Sequence, residues 1–242
     1  MRAVITAGGR VGGGYANLAG TTIKALAPVH GATMLSRAIA AARGAGANAI
    51  AVVGGDEVRA ACSDDVESVV PEGDDGAENL RRALRAWPQD EALLYVTSDL
   101  PYVDAPSVAD FLARAGEGLA MALVDAKAFE GRFPGAPPFG IRLGGERVIN
   151  GGAFLLPPGT AGHVASIATR LFDARKHPWR MARIAGFDLL VRFAFGALTI
   201  AALERRAKEV FSFPIRAVRG CAPDLAFDAD TEAEYRYACE HG

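Results

Sequence analysis

Residues 3–26 read AVITAGGRVGGGYANLAGTTIKAL. The apolar run Ala3-Val4-Ile5 predicts a buried strand. It empties into Ala7-Gly8-Gly9-Arg10, then into a loop with four more glycines, and then into Lys24 ahead of Ala25-Leu26. A strand that runs into glycines and then basic side chains is how α/β proteins hold phosphate. Glycine lets backbone N–H groups approach an anion, and Arg and Lys supply the counter-charge. Two familiar phosphate loops are excluded. A P-loop needs Gly, four residues, then Gly-Lys-Ser/Thr, whereas Lys24 lies between Ile23 and Ala25. A G-x-G-x-x-G fingerprint starting at Gly12 meets Asn17 where its third glycine belongs.

Downstream, residues 34–43 (MLSRAIAAAR) predict a helix that stops at Gly44 and Gly46, and residues 49–53 (AIAVV) an unbroken apolar strand. Strand, helix and strand at this spacing make a βαβ unit and a parallel sheet. A short strand is expected over residues 66–70, a polar loop over 71–76 and a helix over 77–87. Residues 93–96 (LLYV) form the next strand, and Asp99 follows its carboxyl end. Ligands gather outside such strand ends, and a carboxylate there suits a divalent cation. A helix over 107–115 and a strand over 119–124 follow. Residues 129–139 (FEGRFPGAPPF) read as an aromatic loop, and residues 148–156 as a strand and turn at Asn150-Gly151-Gly152. Asp228, Asp230 and Thr231 precede a last helix, residues 233–239, with Thr231 and Glu234 spaced as a capping box. The fold expected is α/β: a three-layer α/β/α domain over residues 1–242 with a mainly parallel central sheet. Residues 1–124 and 125–242 are expected to be the two halves of this one domain.

The formal net charge of -2 and the lack of Lys/Arg runs argue against nucleic acid as a partner. Cys62, Cys221 and Cys239 are far apart and form no C-x-x-C pair. This predicts neither a zinc site nor a disulfide framework, and points to a cytoplasmic location. No signal peptide is expected ahead of the first strand. Residues 184–203 are apolar and long enough to test against a bilayer, but Asp188 and Arg192 lie within them. Each charge would cost about 3 kcal/mol at the bilayer centre. A mostly buried helix ending near Gly196 is the expectation, with Asp188 and Arg192 paired at i and i+4 on an exposed face, and no transmembrane segment.

The opening stretch resembles the signature of the MobA-like NTP transferases. These are Rossmann-like nucleotidyltransferases that include molybdenum-cofactor guanylyltransferases and sugar- or alcohol-phosphate nucleotidyltransferases. Their pattern is an apolar strand, A-G-G or A-G-x-G, an Arg, and a Lys before a hydrophobic residue. Asp99-Leu100-Pro101 is similar to the run at their metal-binding aspartate, and Asp228-Ala229-Asp230-Thr231 to their D-x-D-T run before a closing helix. Arg10 directly after Gly9, and a slightly long loop to Lys24, depart from the pattern.

The resemblance implies transfer of a nucleoside monophosphate from an NTP to a phosphorylated small-molecule acceptor, with release of pyrophosphate and with Mg²⁺ as cofactor. Arg10, Lys24 and Asp99 would be catalytic, and Ala7, Gly8, Gly9, Arg10, Lys24 and Asn79 would bind the nucleotide. Asp99 and Asp230 would hold the metal, with Asp228 as the alternative to Asp230. Asn150 and Lys176 would meet the acceptor. Two other readings remain open: a nucleotide-sensing module that has lost turnover, and an NAD(P)-dependent enzyme with Asp56 as its ribose acid, against which the missing third glycine counts. The base, the acceptor and the oligomeric state are open, a homodimer among the options.

Overall fold

In the computed structural model, which describes residues 1–174, 177, 179 and 186–242, the opening apolar run forms β1 (Arg2–Thr6) in the interior of the main sheet. The chain continues through α1 (Gly13–Ala19), the small hairpin β2 (Pro28–Val29) and β3 (Ala32–Thr33), and α2 (Met34–Gly44). Next come β4 (Ala49–Gly54), α3 (Asp56–Cys62), β5 (Ser68–Pro71), α4 (Gly76–Ala83), β6 (Leu93–Thr97) and α5 (Ala105–Ala115). They are followed by β7 (Leu119–Asp125), α6 (Ala126–Arg132), β8 (Ile141–Leu143), β9 (Glu146–Leu156) and α7 (Ala161–Ala174). After α7 the described elements are α8 (Phe187–Ala194), α9 (Ile200–Phe211), β10 (Ile215–Arg219) and α10 (Glu232–Glu240).

The main sheet has the order β10-β7-β9-β6-β1-β4-β5, with β8 added on β9. β1 pairs in parallel with β4 and β6, as β4 does with β5 and β10 with β7, while β9 runs antiparallel between β6 and β7. Strands covered on both faces read as unbroken apolar runs, which is why Ala3, Val4 and Ile5 are all fully buried. Ala3 and Ile5 face a core shared with α2 and α5, where Phe111 is fully buried. Val4 faces the opposite core, with Leu84, Leu156 and Val164. Helices therefore cover both faces, as expected.

Boundaries and local shapes differ from expectation in a few places. The third strand starts at Ser68, and the helix expected over 77–87 ends at Ala83. Residues 129–139 are not all loop, because Asp125 accepts hydrogen bonds from the Lys127 and Ala128 N–H groups and starts α6. That helix buries Phe129 beside Phe133 and Phe227. Residues 148–156 contain no turn: β9 is continuous, and Gly151 and Gly152 are there for close approach rather than for positive φ. A Cβ at Gly152 would collide with Thr97 Oγ1 and stand 2.9 Å from Leu100, and one at Gly151 would stand 2.8 Å from Ala122 Cβ.

The apolar stretch over 184–203 is not one buried helix. α8 does end before Gly196, at φ +67°, but it buries Leu189 and leaves Phe187 61%, Phe193 54% and Phe195 83% exposed. Asp188 and Arg192 are both exposed, and Ile184 lies outside the described residues. No helix among the described residues is long and apolar enough to cross a membrane.

Candidate active site

Lys24 reaches the carboxyl edge of the sheet because the long loop before it is closed at its neck. The Lys24 N–H donates to Gly9 O (3.0 Å), the Val11 N–H donates to Thr22 O (2.9 Å), and Arg10 bridges Ile23. The added residues, including α1, are thus looped out, and Lys24 stands beside Gly9 as it would after a short loop. Ala7 is fully buried with its N–H donated to Val53 O, so it anchors the loop to β4. Gly9, next in the loop, is exposed.

The Lys24 ammonium donates to Asp99 Oδ2 (2.6 Å) and to Asp230. Asp99 stands just past β6, and the Asp228–Asp230 segment is held against it by one peptide unit: the Ala229 N–H donates to Asp99 O (3.0 Å). The Tyr15 hydroxyl donates to Ala229 O (2.8 Å) while its ring stacks on Tyr235 of α10, 4.6 Å between centroids. The capping box is present, with Thr231 Oγ1 accepting from the Glu234 N–H and Glu234 accepting from the Thr231 N–H.

Three carboxylates and one ammonium therefore crowd together. Burial lowers the Lys24 pKa, but the charges of Asp99 and Asp230 outweigh it and leave the ammonium above the ordinary lysine value. Burial, reinforced by the charges of Asp230 and Asp99, pushes Asp228 up to about 7. Asp99 Oδ1 is buried and has no hydrogen-bond partner. A buried carboxylate oxygen with no donor is costly in a ligand-free protein and marks a place where a cation or donor belongs. Among the described residues no group of three or more His, Cys, Asp or Glu side chains is arranged to hold a metal unaided. Hard oxygens from one or two carboxylates, completed by substrate phosphates, nevertheless suit Mg²⁺.

On the other side of the loop, Arg10 folds back, donating to Gly8 O (3.0 Å) and pairing with Glu72. Asn79, buried on α4, accepts from the Gly73 N–H (2.6 Å) and shapes the 72–75 turn. A Cβ at Gly8 would collide with Asn79 Nδ2 and stand 2.9 Å from Glu72 Oε2. Gly8, Arg10 and Asn79 thus lie together, and Glu72 joins them. Nothing in the local sequence around Glu72 marks it, because its partners come from the loop after β1 and from α4. Tyr15 was missed for the same reason.

Asn150 is exposed on β9 and lines an apolar cavity of about 730 Å³ together with Asp99 and Asp228. Lys176 lies outside the described residues.

The sequence matches the MobA-like NTP transferase domain over residues 3–193. No curated protein matches it. Among solved structures, a hypothetical transferase from Thermus thermophilus aligns with a TM-score of 0.84 at 28% identity, covering 97% of this chain and 100% of that one. A Mycobacterium tuberculosis protein in complex with manganese aligns at TM-score 0.57 and 21% identity, covering 100% and 98%. The CTP:phosphocholine cytidylyltransferase of Streptococcus pneumoniae aligns at 0.55 and 12%, covering 99% and 97%. At these lower identities the likeness speaks for the fold. The chain belongs to the MobA-like NTP transferase domain family and is an enzyme of the nucleotidyltransferase type.

Proposed function

We propose that the protein transfers a nucleoside monophosphate from an NTP to a phosphorylated small-molecule acceptor in a Mg²⁺-dependent reaction. The observation that carries this reading is the meeting of Lys24, Asp99 and Asp230 around a buried, unpartnered Asp99 Oδ1. An oxygen of the acceptor phosphate attacks the α-phosphorus and forms the new P–O–P link. The α–β bridging bond breaks, and pyrophosphate leaves with the electron pair. Lys24 and Arg10 neutralise the developing charge, a role that needs positioning more than covalent chemistry. Gly8 and Gly9 bring the backbone close to the nucleotide, and Asn79, with Glu72 beside it, borders the space for the base. Asp99 and Asp230, with Asp228 next to them, would hold the cation, whose charge screens the phosphates when bound. Asn150 borders the acceptor side.

The neighbour in complex with manganese supports a divalent cation, and the cytidylyltransferase neighbour supports a phosphorylated acceptor. The test is pyrophosphate release with each of the common ribonucleoside triphosphates, with and without Mg²⁺, against a panel of phosphorylated acceptors. Metal-dependent release with one base upholds the reading, and Asp99→Asn abolishes that release without unfolding the protein. Stabilisation by an NTP with no release under any condition would mean a nucleotide-binding module instead.

A further inference from the structure

The cavity behind Asp99 is a half-open cleft, and its charged groups are at one end. Asp99, Asn150 and Asp228 border it where β6 ends. From there it follows the sheet face back to Leu119 and Leu156, and Leu156 is paired with Leu93 at the start of β6. Leu93 and Asp99 are six positions apart, which is roughly 20 Å at ~3.3 Å per residue. The far walls come from α4, α7 and α9 through Leu80, Val164, Ala168, Ala207 and Phe211. Two hydroxyls lie along the β6 side: that of Tyr95 is already bonded to Thr6 Oγ1 (2.8 Å), and that of Thr97 stands at the polar end, two positions before Asp99.

Sugar or polyol hydroxyls placed among such walls would lose water and gain no partner, a penalty of about 1–3 kcal/mol each. An apolar chain there would only gain. A half-open, largely apolar cleft of about 730 Å³ joined to a reactive site has the size and lining of a small-molecule pocket.

A second observation points the same way. Among the described residues, five of the seven exposed large apolar side chains fall between Trp179 and Phe195. Phe187, Val191 and Phe195 recur every four residues, on one face of α8. The sequence from Arg170 to Arg192 holds six Lys/Arg and two Asp. Aromatic side chains beside basic ones are the composition that meets anionic lipid surfaces. α8 also packs into the cluster of Leu123, Leu143 and Val148, which borders the neighbouring cavity at Asn150.

We propose that the acceptor is an amphiphile, a phosphomonoester whose phosphate stops at Asp99, Asp228 and Asn150 while its hydrocarbon chain fills the cavity. This rests on the nucleotidyl-transfer reading and narrows its acceptor to a class. The transfer is the one already written, with the phosphate of the amphiphile as nucleophile and pyrophosphate as leaving group.

The experiment compares n-alkyl phosphates of increasing length with glycerol 3-phosphate and glucose 1-phosphate, using whichever NTP gives the largest thermal shift. The expected result is a kcat/KM that climbs by up to about fourfold per methylene, with the two polar acceptors far below. Ala168→Trp and, separately, Ala207→Phe fill the cavity away from the charged groups. Each flattens that dependence while leaving the NTP-induced thermal shift as in wild type, which also shows the variant folded. A long-chain phosphatidate in phosphatidylcholine vesicles tests the source. Preference for it indicates a bilayer-borne acceptor, and preference for the soluble alkyl phosphate a freely diffusing one. Equal or better use of the polar acceptors, or variants that keep the chain-length dependence, would overturn the proposal. If NTP binds and no acceptor reacts, the transfer reading fails by itself and calorimetric titration of octyl phosphate decides the cavity's ligand class: binding lost in Ala168→Trp upholds an amphiphile there, and no binding in wild type overturns it. Absence of any NTP binding would instead refute the nucleotidyl-transfer reading.

Discussion

Replacing Lys24 with Met keeps the stem of the side chain and removes the ammonium that links Asp99 to Asp230. In the ligand-free protein that ammonium occupies the carboxylates a divalent cation would use, so Lys24 competes with the metal until phosphates draw it away. The bond to Asp99, a side chain 19% exposed, is charge-assisted and contributes about 1.5–3 kcal/mol. The bond to Asp230, 60% exposed, contributes at most about 1 kcal/mol. Losing both costs roughly 2–4 kcal/mol, or about 5–15 °C in Tm for a chain of this size.

Metal affinity moves the opposite way. Releasing Asp99 from its partner tightens cation binding by about 10- to 100-fold, since every 1.4 kcal/mol is tenfold. Turnover falls by at least about 100-fold for want of the charge at the phosphates. Calorimetry with Mn²⁺, together with melting curves with and without Mg²⁺, reads both effects. The variant is less stable than wild type when metal-free and recovers more stability when the metal is added. Metal affinity that is unchanged or weaker in Lys24→Met would refute the competition. The pH dependence has a set sign: with its pKa above the ordinary lysine value, Lys24 contributes in full at neutral and mildly alkaline pH. The contribution is lost only as pH rises through and beyond that value.

Asp228, with a pKa of about 7 against an ordinary 3.8, keeps a proton in the folded state that the unfolded chain gives up. Metal-free stability therefore falls as pH rises from about 4 to 7, and Asp228→Asn removes that slope in melting curves taken across the window. Asn79→Ala leaves the Gly73 N–H without its acceptor, and a destabilisation of about 1–3 kcal/mol with a weaker NTP-induced thermal shift is expected. Gly8→Ala forces Asn79 and Glu72 apart; NTP binding by calorimetry drops at least tenfold while far-UV circular dichroism stays as in wild type. Tyr15→Phe loses one hydrogen bond to Ala229, about 1 kcal/mol, and lowers kcat more than it raises KM, because it loosens the carboxylates rather than the nucleotide loop.

The sheet and the residues that gather at its carboxyl edge are legible because each has a local cause. Buried parallel strands give unbroken apolar runs at β1, β4 and β6, glycines mark the loop, and Asp99 follows a strand directly. What could not be read is set by long-range packing. The loop from Arg10 to Lys24 looks too long in sequence, yet hydrogen bonds at its neck remove the extra length. Glu72 meets Arg10 across 62 positions, and nothing near either residue announces the other. Gly151 and Gly152 look like a turn because sequence does not distinguish glycine needed for positive φ from glycine needed for contact. α8 was misread as buried because hydropathy records composition, not which neighbour is there to cover it.

The peptide unit at Ala229 shows why the site depends on the two ends of the chain together. Its N–H is donated to Asp99 O, and its carbonyl oxygen accepts from Tyr15, 214 positions away. The two carboxylates on either side of it, Asp228 and Asp230, are therefore placed relative to Asp99 by main-chain bonds rather than by their own charges, which repel. Lys24 offsets that repulsion without fixing the geometry. The arrangement can thus survive the departure of the ammonium toward phosphate, provided another cation takes its place. A site whose carboxylates are held by backbone and balanced by a movable charge is suited to exchanging one cation for another during a catalytic cycle.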